Sequence, residues 1–582
     1  MKLSKLKELP ATRKMFDTFK GYNHNLRISD GEFFNMKNLT SDYYPVLSPR
    51  KRRGVHAKPA SPQGLIAKNE ICYVDGTDFV IGEDRINMGL SVKAEDCPKK
   101  LISMGAYVII MPDKKYINTM KTEDHGDIEA TVTTSGEVSF TLCNLTGDEY
   151  KDPVVSATAP SNPNNMDMWI DTSSTPHVLK QYSTSSSMWV SIATTYVKIT
   201  ATGIGKNFAK YDGVTISGVE AEALKSLNSA TVIWERGDDY IVVVGIVDEI
   251  AKQTAPLTIS RSMPNMDYVI ESGNRLWGCR YGTAANGQQV NEIYASKLGD
   301  FKNWNCYMNL STDSYTASCG TEGPFTGAIA HLGYPLFFKE NCIHKVYGYY
   351  PANFQIQAIT GRGVQNGSSN SLAIVNEKLL YKSVGAVCVY DGSLPVEASY
   401  ALGNDSYSNA VAGGCNNKYY ISMEDSCGMW HLFVYDTETN MWHREDNLHA
   451  IAFAESNGEL YCVDADSQNI ITMLGSGDDG EYAVEWMAET GEFGITSPDM
   501  KYISKLDIRM SVPGGTVIKL YAQYDLSDVW EHVAVIYGTA MRTFAIPIRP
   551  KRCDYMKLRI EGVGDAKIYS ITKTIEQGSD VS

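Results

Sequence analysis

Along most of the chain, apolar and polar positions alternate with a period of two, in runs only four to eight residues long. The runs end at tight-turn pairs, as in Cys72-Tyr-Val-Asp-Gly, Val387-Cys-Val-Tyr-Asp-Gly and Asn457-Gly-Glu-Leu-Tyr. Short strands with a turn signal every ~8–12 residues predict an all-β sandwich, barrel or propeller. Helical periodicity is scarce. Residues 221–227 predict one or two helical turns, and Leu3, Leu6, Leu9 and Met15 predict a short amphipathic arm.

One local pattern recurs: a turn residue, a short run rich in aromatics, then a second turn. It stands at residues 68–74, 273–278, 331–339, 376–382, 416–422 and 457–463. From residue 273 the step is about 40–60 residues, the length of a four-stranded propeller blade. Tyr435 and Trp442 lie where an outer hairpin would place a Trp over a blade edge. The prediction is an all-β chain: a β-propeller of about six blades, an inserted small β module and a C-terminal β-sandwich of jelly-roll type. The expected boundaries are 1–58 for an N-terminal arm and entry segment, and 59–111 for the first propeller part. Residues 112–240 form the insertion, 241–480 the remaining blades and 481–582 the sandwich. In that last part, separate strands are expected at 502–510, 516–524, 529–537, 543–547, 555–562 and 569–574.

Composition narrows the function. Net charge is −15, which argues against a body that wraps nucleic acid. Tyr (35) outnumbers Phe (16), and tyrosine suits wet contact surfaces. The apolar runs Tyr107–Met111 and 240–247 are far short of the ~20 residues that span a bilayer. The basic N-terminus has no apolar stretch behind it and does not read as a secretory signal. None of the 12 cysteines has CxxC spacing, and most sit in apolar segments. Buried free thiols in a protein made in a reducing cytoplasm are expected.

No GxSxG, HExxH or GxxxxGK[ST] is present. The glycines of 361–367 read as a turn between blades. Asp124-His-Gly-Asp, and Asp464, Asp466, Asp478 and Asp479, read as polar turns. His331, His344, His431 and His443 lie in aromatic strands and read as packed side chains. No catalytic, metal or cofactor residue is assigned, and the expectation is that the chain is not an enzyme. A glycosidase needs two carboxylates about 5–10 Å apart across a cleft, which 68 acidic residues cannot exclude. Two features are candidates for contact with partners. The basic run Arg50, Lys51, Arg52 and Arg53 could meet an acidic surface or nucleic acid. Trp169 and Trp189 in the insertion could meet a glycan if exposed on one face.

Several phrases together carry a resemblance. Residues 22–39 hold Asn25, Arg27, Gly31, Glu32, Met36 and Asn38 in the pattern N-x-R-x-x-x-G-E-x-x-x-M-x-N, and Ser41-Asp-Tyr-Tyr-Pro-Val-Leu-Ser-Pro-Arg follows. Asn274-Arg-Leu-Trp-Gly-Cys, Asn291-Glu-Ile-Tyr-Ala-Ser, Gly299-Asp-Phe-Lys-Asn-Trp-Asn, residues 336–348 and Arg552-Cys-Asp-Tyr-Met-Lys-Leu-Arg complete the set. The chain resembles large structural proteins of bacteriophages and prophages of Gram-positive gut bacteria. Its plan is similar to the propeller-bearing tail nozzle and stabilisation proteins of short-tailed phages. Residues 168–180 with Trp189 are similar to small adaptor modules on phage fibre and baseplate proteins. The resemblance implies a virion protein made in the host cytoplasm, without cofactors. It implies copies of the chain in a ring, six-fold by expectation, touching adaptor and fibre proteins and passing genomic DNA through an acidic conduit. Two alternatives remain open: a tail-borne protein that binds a host surface glycan, and a propeller glycosidase.

Overall fold

The computed structural model describes residues 11–475, 480–495 and 499–577. Leu3, Leu6, Leu9, Asp478 and Asp479 lie outside them. The protein is nearly all β, and helix among the described residues is limited to short 3-10 turns. The turn Glu222–Leu227 stands where a short helix was expected.

Seven four-stranded antiparallel sheets recur along the chain: sheets I (62–87), II (100–127), III (268–318), IV (327–360), V (373–397), VI (407–444) and VII (450–472). The recurring turn explains their first hairpins. Gly273-Asn274, Leu332-Gly333, Asn376-Glu377 and Asn457-Gly458 all have positive φ at both positions, and each joins directly paired residues such as Ser272↔Arg275 and Ser456↔Glu459. A two-residue loop of this hand matches the twist of the strands it connects, which favours Asn and Gly there.

Each sheet shares an apolar core with the next. Val74 and Phe79 of sheet I pack with Val108 and Ile110 of sheet II. Ile102 and Ile109 pack with Leu276 of sheet III, and Trp277 and Ile293 with Phe337 of sheet IV. Phe338 meets Tyr381 of sheet V, and Leu380 meets Tyr419 of sheet VI. Tyr420 and Leu432 meet Leu460 of sheet VII. Val463 and Ile470 of sheet VII then pack with Leu65 and Tyr73 of sheet I. Sheet VII takes its fourth strand from the other end of the chain, Gly54–Ala57, paired with Ile470–Thr472.

Seven sheets replace the six repeats counted in sequence. Sheet II was missed because its outer strands, Lys115–Asn118 and His125–Asp127, are only four and three residues long. The insertion accordingly runs from 130 to 261 rather than from 112 to 240. It forms three small sheets over one core, and its ends pair with each other, Ala130↔Arg261.

The C-terminal part is built on strands from both ends of the chain. The main ones are β1 (Ala11–Phe16), β2 (Phe33–Lys37), β3 (Glu485–Thr490), β4 (Lys501–Tyr524), β5 (Glu531–Ile546), β6 (Met556–Val563) and β7 (Lys567–Gln577), with the two-residue strand Arg552–Cys553 on the start of β4. β4 and β5 replace the four separate strands expected between 502 and 547. Each runs through two strand sets. The first half of β4 lies between β7 and the far half of β5 in the order β1-β7-β4-β5, and its second half lies between β6 and the near half of β5 in the order β2-β3-β6-β4-β5. Pro513-Gly514-Gly515, with a positive φ at Gly515, stands where the pairing changes over. The N-terminal arm is therefore an integral part of this body.

Candidate functional site

The segment 17–53 runs between sheet VI and the C-terminal strands, and it gathers most of the resemblance-bearing residues of the N-terminal stretch. Gly21 (φ +78) lies so close to the Trp442 carbonyl that a Cβ would sit 2.3 Å from it. Tyr22 donates its N–H to that carbonyl at 2.6 Å. Phe33 and Met36 are fully buried. Leu47 exchanges two backbone hydrogen bonds with Ile568 of β7. Trp442 covers the edge of sheet VI as expected, its indole N–H donating to the Ala398 carbonyl at 2.7 Å.

The basic run ends this segment, and the structure divides it. Arg50 and Arg53 are buried, at 4% and 8% side-chain exposure. Arg50 forks onto both Glu481 oxygens at 2.7 and 2.8 Å, and its Nε donates to Asn38 at 2.9 Å. Arg53 reaches Asp446 at 2.7 Å and Glu445 at 2.7 Å. Burial alone would push the Asp446 carboxyl up, but the Arg53 and Arg50 charges outweigh it and hold it below the usual range. The same balance, with Arg50 dominant, lowers Glu481. The expectation that all four basic residues face a partner is thus corrected. Arg50 and Arg53 are consumed inside the protein, because three carboxylates from distant segments converge on them. Lys51 and Arg52 remain exposed, Arg52 donating to the Tyr482 carbonyl at 3.2 Å.

The two tryptophans lie together on the outer face of a small sheet of the insertion. Their rings meet edge to face at 5.4 Å, and Tyr182 packs on Trp189 at 5.4 Å. Trp169 is only 5% exposed, because Trp189 and the Lys180 ammonium, 4.8 Å from its ring centre, cover it. Exposure of both rings on one face does not hold, and Trp189 with Tyr182 is what a ligand could touch.

A third place was not legible in sequence. A cavity of about 390 Å³ opens where the first strands of sheets II, III and IV begin. Glu95, Asp96, Lys100, Asp267, Tyr268 and Asn370 contribute polar groups to its wall. Asp96 accepts from the Ser91 hydroxyl, and Asp267 accepts the Tyr281 N–H at 2.8 Å. Burial pushes the Asp267 carboxyl up and the Tyr268 hydroxyl up to about 12. Lys100 is exposed beside the cavity. Each wall segment reads as an ordinary turn or strand start, so no local signal marks it.

The remaining candidates are structural. Asp124 is held by the Tyr107 hydroxyl at 3.0 Å and by Asn118. No group of three or more metal-ligating side chains occurs among the described residues. His344 and His443 are buried, and burial lowers them to about 4 and about 3.

No family model and no curated protein matches the chain. Among solved structures it matches an exo-β-1,3-galactanase from Phanerochaete chrysosporium, 9% identical over 52% of this chain and 94% of that one, with a TM-score of 0.22. A glycoside hydrolase family 43 arabinoxylan arabinofuranohydrolase from Bacillus subtilis matches at 9% identity over 52% and 94%, TM-score 0.18. A Trypanosoma rangeli sialidase matches at 8% over 89% and 94%, TM-score 0.19. Against the expectation that the chain is not an enzyme stand these three glycosidase structures. TM-scores near 0.2 assign this chain neither their architecture nor their reaction.

Proposed function

We propose that the chain is a structural subunit of a bacteriophage or prophage tail. In this reading the seven sheets are the blades of a β-propeller, and the strands around β4 and β5 are a β-sandwich carried on it. The circle of shared cores, with sheet VII packed on sheet I, supports the propeller. The strand Gly54–Ala57 would then be the strap that closes it. The two-layer pairing of β4 and β5 around one core supports the sandwich.

The observation that carries the proposal is the junction. The stretch bearing the strongest resemblance, residues 22–50, is the part that fastens propeller to sandwich through buried aromatics and the Arg50–Arg53 carboxylate cluster. A part that transmits load between neighbours needs such a rigid joint. Its partners would be copies of itself in a ring, adaptor and fibre proteins, and DNA in passage, and its location the virion. Lys51, Arg52 and the Trp189 surface are then contacts for other tail proteins. The test is mass spectrometry and electron microscopy of particles induced from a host carrying the gene. The chain is expected in purified particles at a fixed copy number and at the tail. Its absence from intact particles overturns the proposal.

A second reading, a propeller glycosidase, is favoured by the cavity beside the first strands of sheets II–IV. There Asp267, raised by burial, is the candidate proton donor, and Glu95 or Asp96 the second carboxylate. Release of reducing sugar from host cell walls, lost in Asp267→Asn, would support it. No release from any wall preparation removes it.

A further inference from the structure

A cleft of about 410 Å³ opens where the entry segment meets the C-terminal strands. Residues between 42 and 51 line it together with Ser511, Pro513 and the start of β7, and the backbone bridge Leu47–Ile568 ties these parts together. Charge on the wall does not balance. Asp42 is taken by Lys418, and Arg50 by Glu481 at 2.7 Å. Lys51 and Lys567 are left, with Asp565 as the remaining carboxylate against them. Neither lysine has an ion-pair partner among the described residues. Lys51 is exposed, and the Lys567 ammonium lies 3.6 Å from the centre of the half-exposed Tyr43 ring. On a chain of net charge −15, an unmatched pair of cations in a cleft departs from the rest of the surface.

Ser48 adds an independent observation. It lies on the same wall and is only 3% exposed, and its hydroxyl has no hydrogen-bond partner among the described residues. A buried hydroxyl left unpaired lowers the stability of the fold. A carboxylate arriving beside the two lysines would accept from it, and hydrogen bonds to an ionised acceptor are the strong ones. Size argues for a larger body than a bare inorganic anion. The volume falls in the range of sites for drug-sized bodies, and exposed Tyr43 and Pro513 offer apolar area that a small ion would leave uncovered. We infer that the cleft receives an acidic segment of a neighbouring tail protein, one carboxylate of which lies between Lys51 and Lys567 and accepts the Ser48 hydroxyl. The inference rests on the tail reading above and gives its contact at Lys51 a chemistry.

The test uses the full chain and fluorescein-labelled hexaglutamate, followed by fluorescence anisotropy. Wild type should bind, and its affinity should fall as salt rises. The double variant Lys51→Gln, Lys567→Gln should bind at least about tenfold more weakly. Arg52→Gln removes an exposed charge outside the cleft and should change affinity by less than about threefold. Ser48→Ala should bind about threefold or more weakly, with a urea midpoint no lower than that of wild type, because the fold does not use the hydroxyl. No binding by wild type, equal losses in Arg52→Gln and the double variant, or unchanged binding in Ser48→Ala overturns the inference. Inorganic phosphate that displaces the peptide at equal concentration reassigns the cleft to a free anion. Tighter binding of trigalacturonate than of hexaglutamate reassigns it to an acidic glycan. Either overturns the protein partner. A wild type that binds the peptide but is absent from particles overturns the tail reading and leaves the acidic ligand standing. One that is present in particles and binds nothing does the reverse.

Discussion

Replacing Arg53 by Met removes the nearer of the two cations, Arg53 and Arg50, that face Glu445 and Asp446, while keeping most of the side-chain volume. The guanidinium touches both carboxylates at 2.7 Å, and their side-chain exposures are 8%, 6% and 23%. Charge centres about 4 Å apart interact by about 4 kcal/mol at an effective dielectric of 20. Removing one partner of a buried ion pair costs about 3–5 kcal/mol, because the other charge stays buried. At about 3 kcal/mol per M of urea this lowers the unfolding midpoint by about 1 M at pH 7. The pH dependence is the sharper signature. In the wild type, Asp446 is held below its unfolded value, so its contribution is present above about pH 4 and is lost as pH falls through the lowered value. In the variant Arg50 still stands 3.5 Å from Asp446, but without Arg53 burial weighs more heavily and the Asp446 carboxyl loses part of its lowering. The deficit should therefore shrink as pH falls, to under about 2 kcal/mol by pH 4. Urea titrations of both proteins at pH 7, 5.5 and 4, followed by tryptophan fluorescence, measure it. Equal midpoints at pH 7, or a deficit independent of pH, would refute the reasoning.

His344 and His443 are held neutral by burial, lowered to about 4 and about 3, so the unfolded chain binds protons below about pH 6.5 that the folded one refuses. Stability should fall from pH 6.5 downward by up to about 1.4 kcal/mol per pH unit for each, and urea midpoints of His344→Gln should show about half that slope. Trp442→Ala empties a fully buried site and should cost about 3–5 kcal/mol, read as a lower urea midpoint. Replacing residues 130–261 by a short Gly/Ser linker should leave the rest folded, read as a retained cooperative urea transition, because the insertion's ends already lie side by side at Ala130 and Arg261.

The hairpins were legible because Asn-Gly and its equivalents impose a handed turn wherever they interrupt a period of two. Residues such as Asn457 and Gly458 announce a pairing only two positions away. Pairings across the chain left no such mark. Gly54–Ala57 joins sheet VII some 415 residues later, and nothing in Gly-Val-His-Ala says so. Arg50 and Arg53 looked like surface charges because their partners are Glu445, Asp446 and Glu481, which have no periodic relation to them. Trp169 looked available because the cross-strand Lys180 that covers it is visible only once register is known. The cavity gathers its wall from residues 95–100, 266–269 and 367–370, each unremarkable alone.

The pairing of residues 11–16 with 571–576 bears on how the chain matures. Translation delivers the early segment more than five hundred residues ahead of its hydrogen-bonding mate. Until β7 emerges from the ribosome, β1 has nothing to dock on, and the body around β4 stays unfinished while sheets I to VI can already form. Completion of that body therefore waits for the whole intervening chain, and nascent chains released early would expose the apolar face that β7 should cover, marking them for chaperones or degradation.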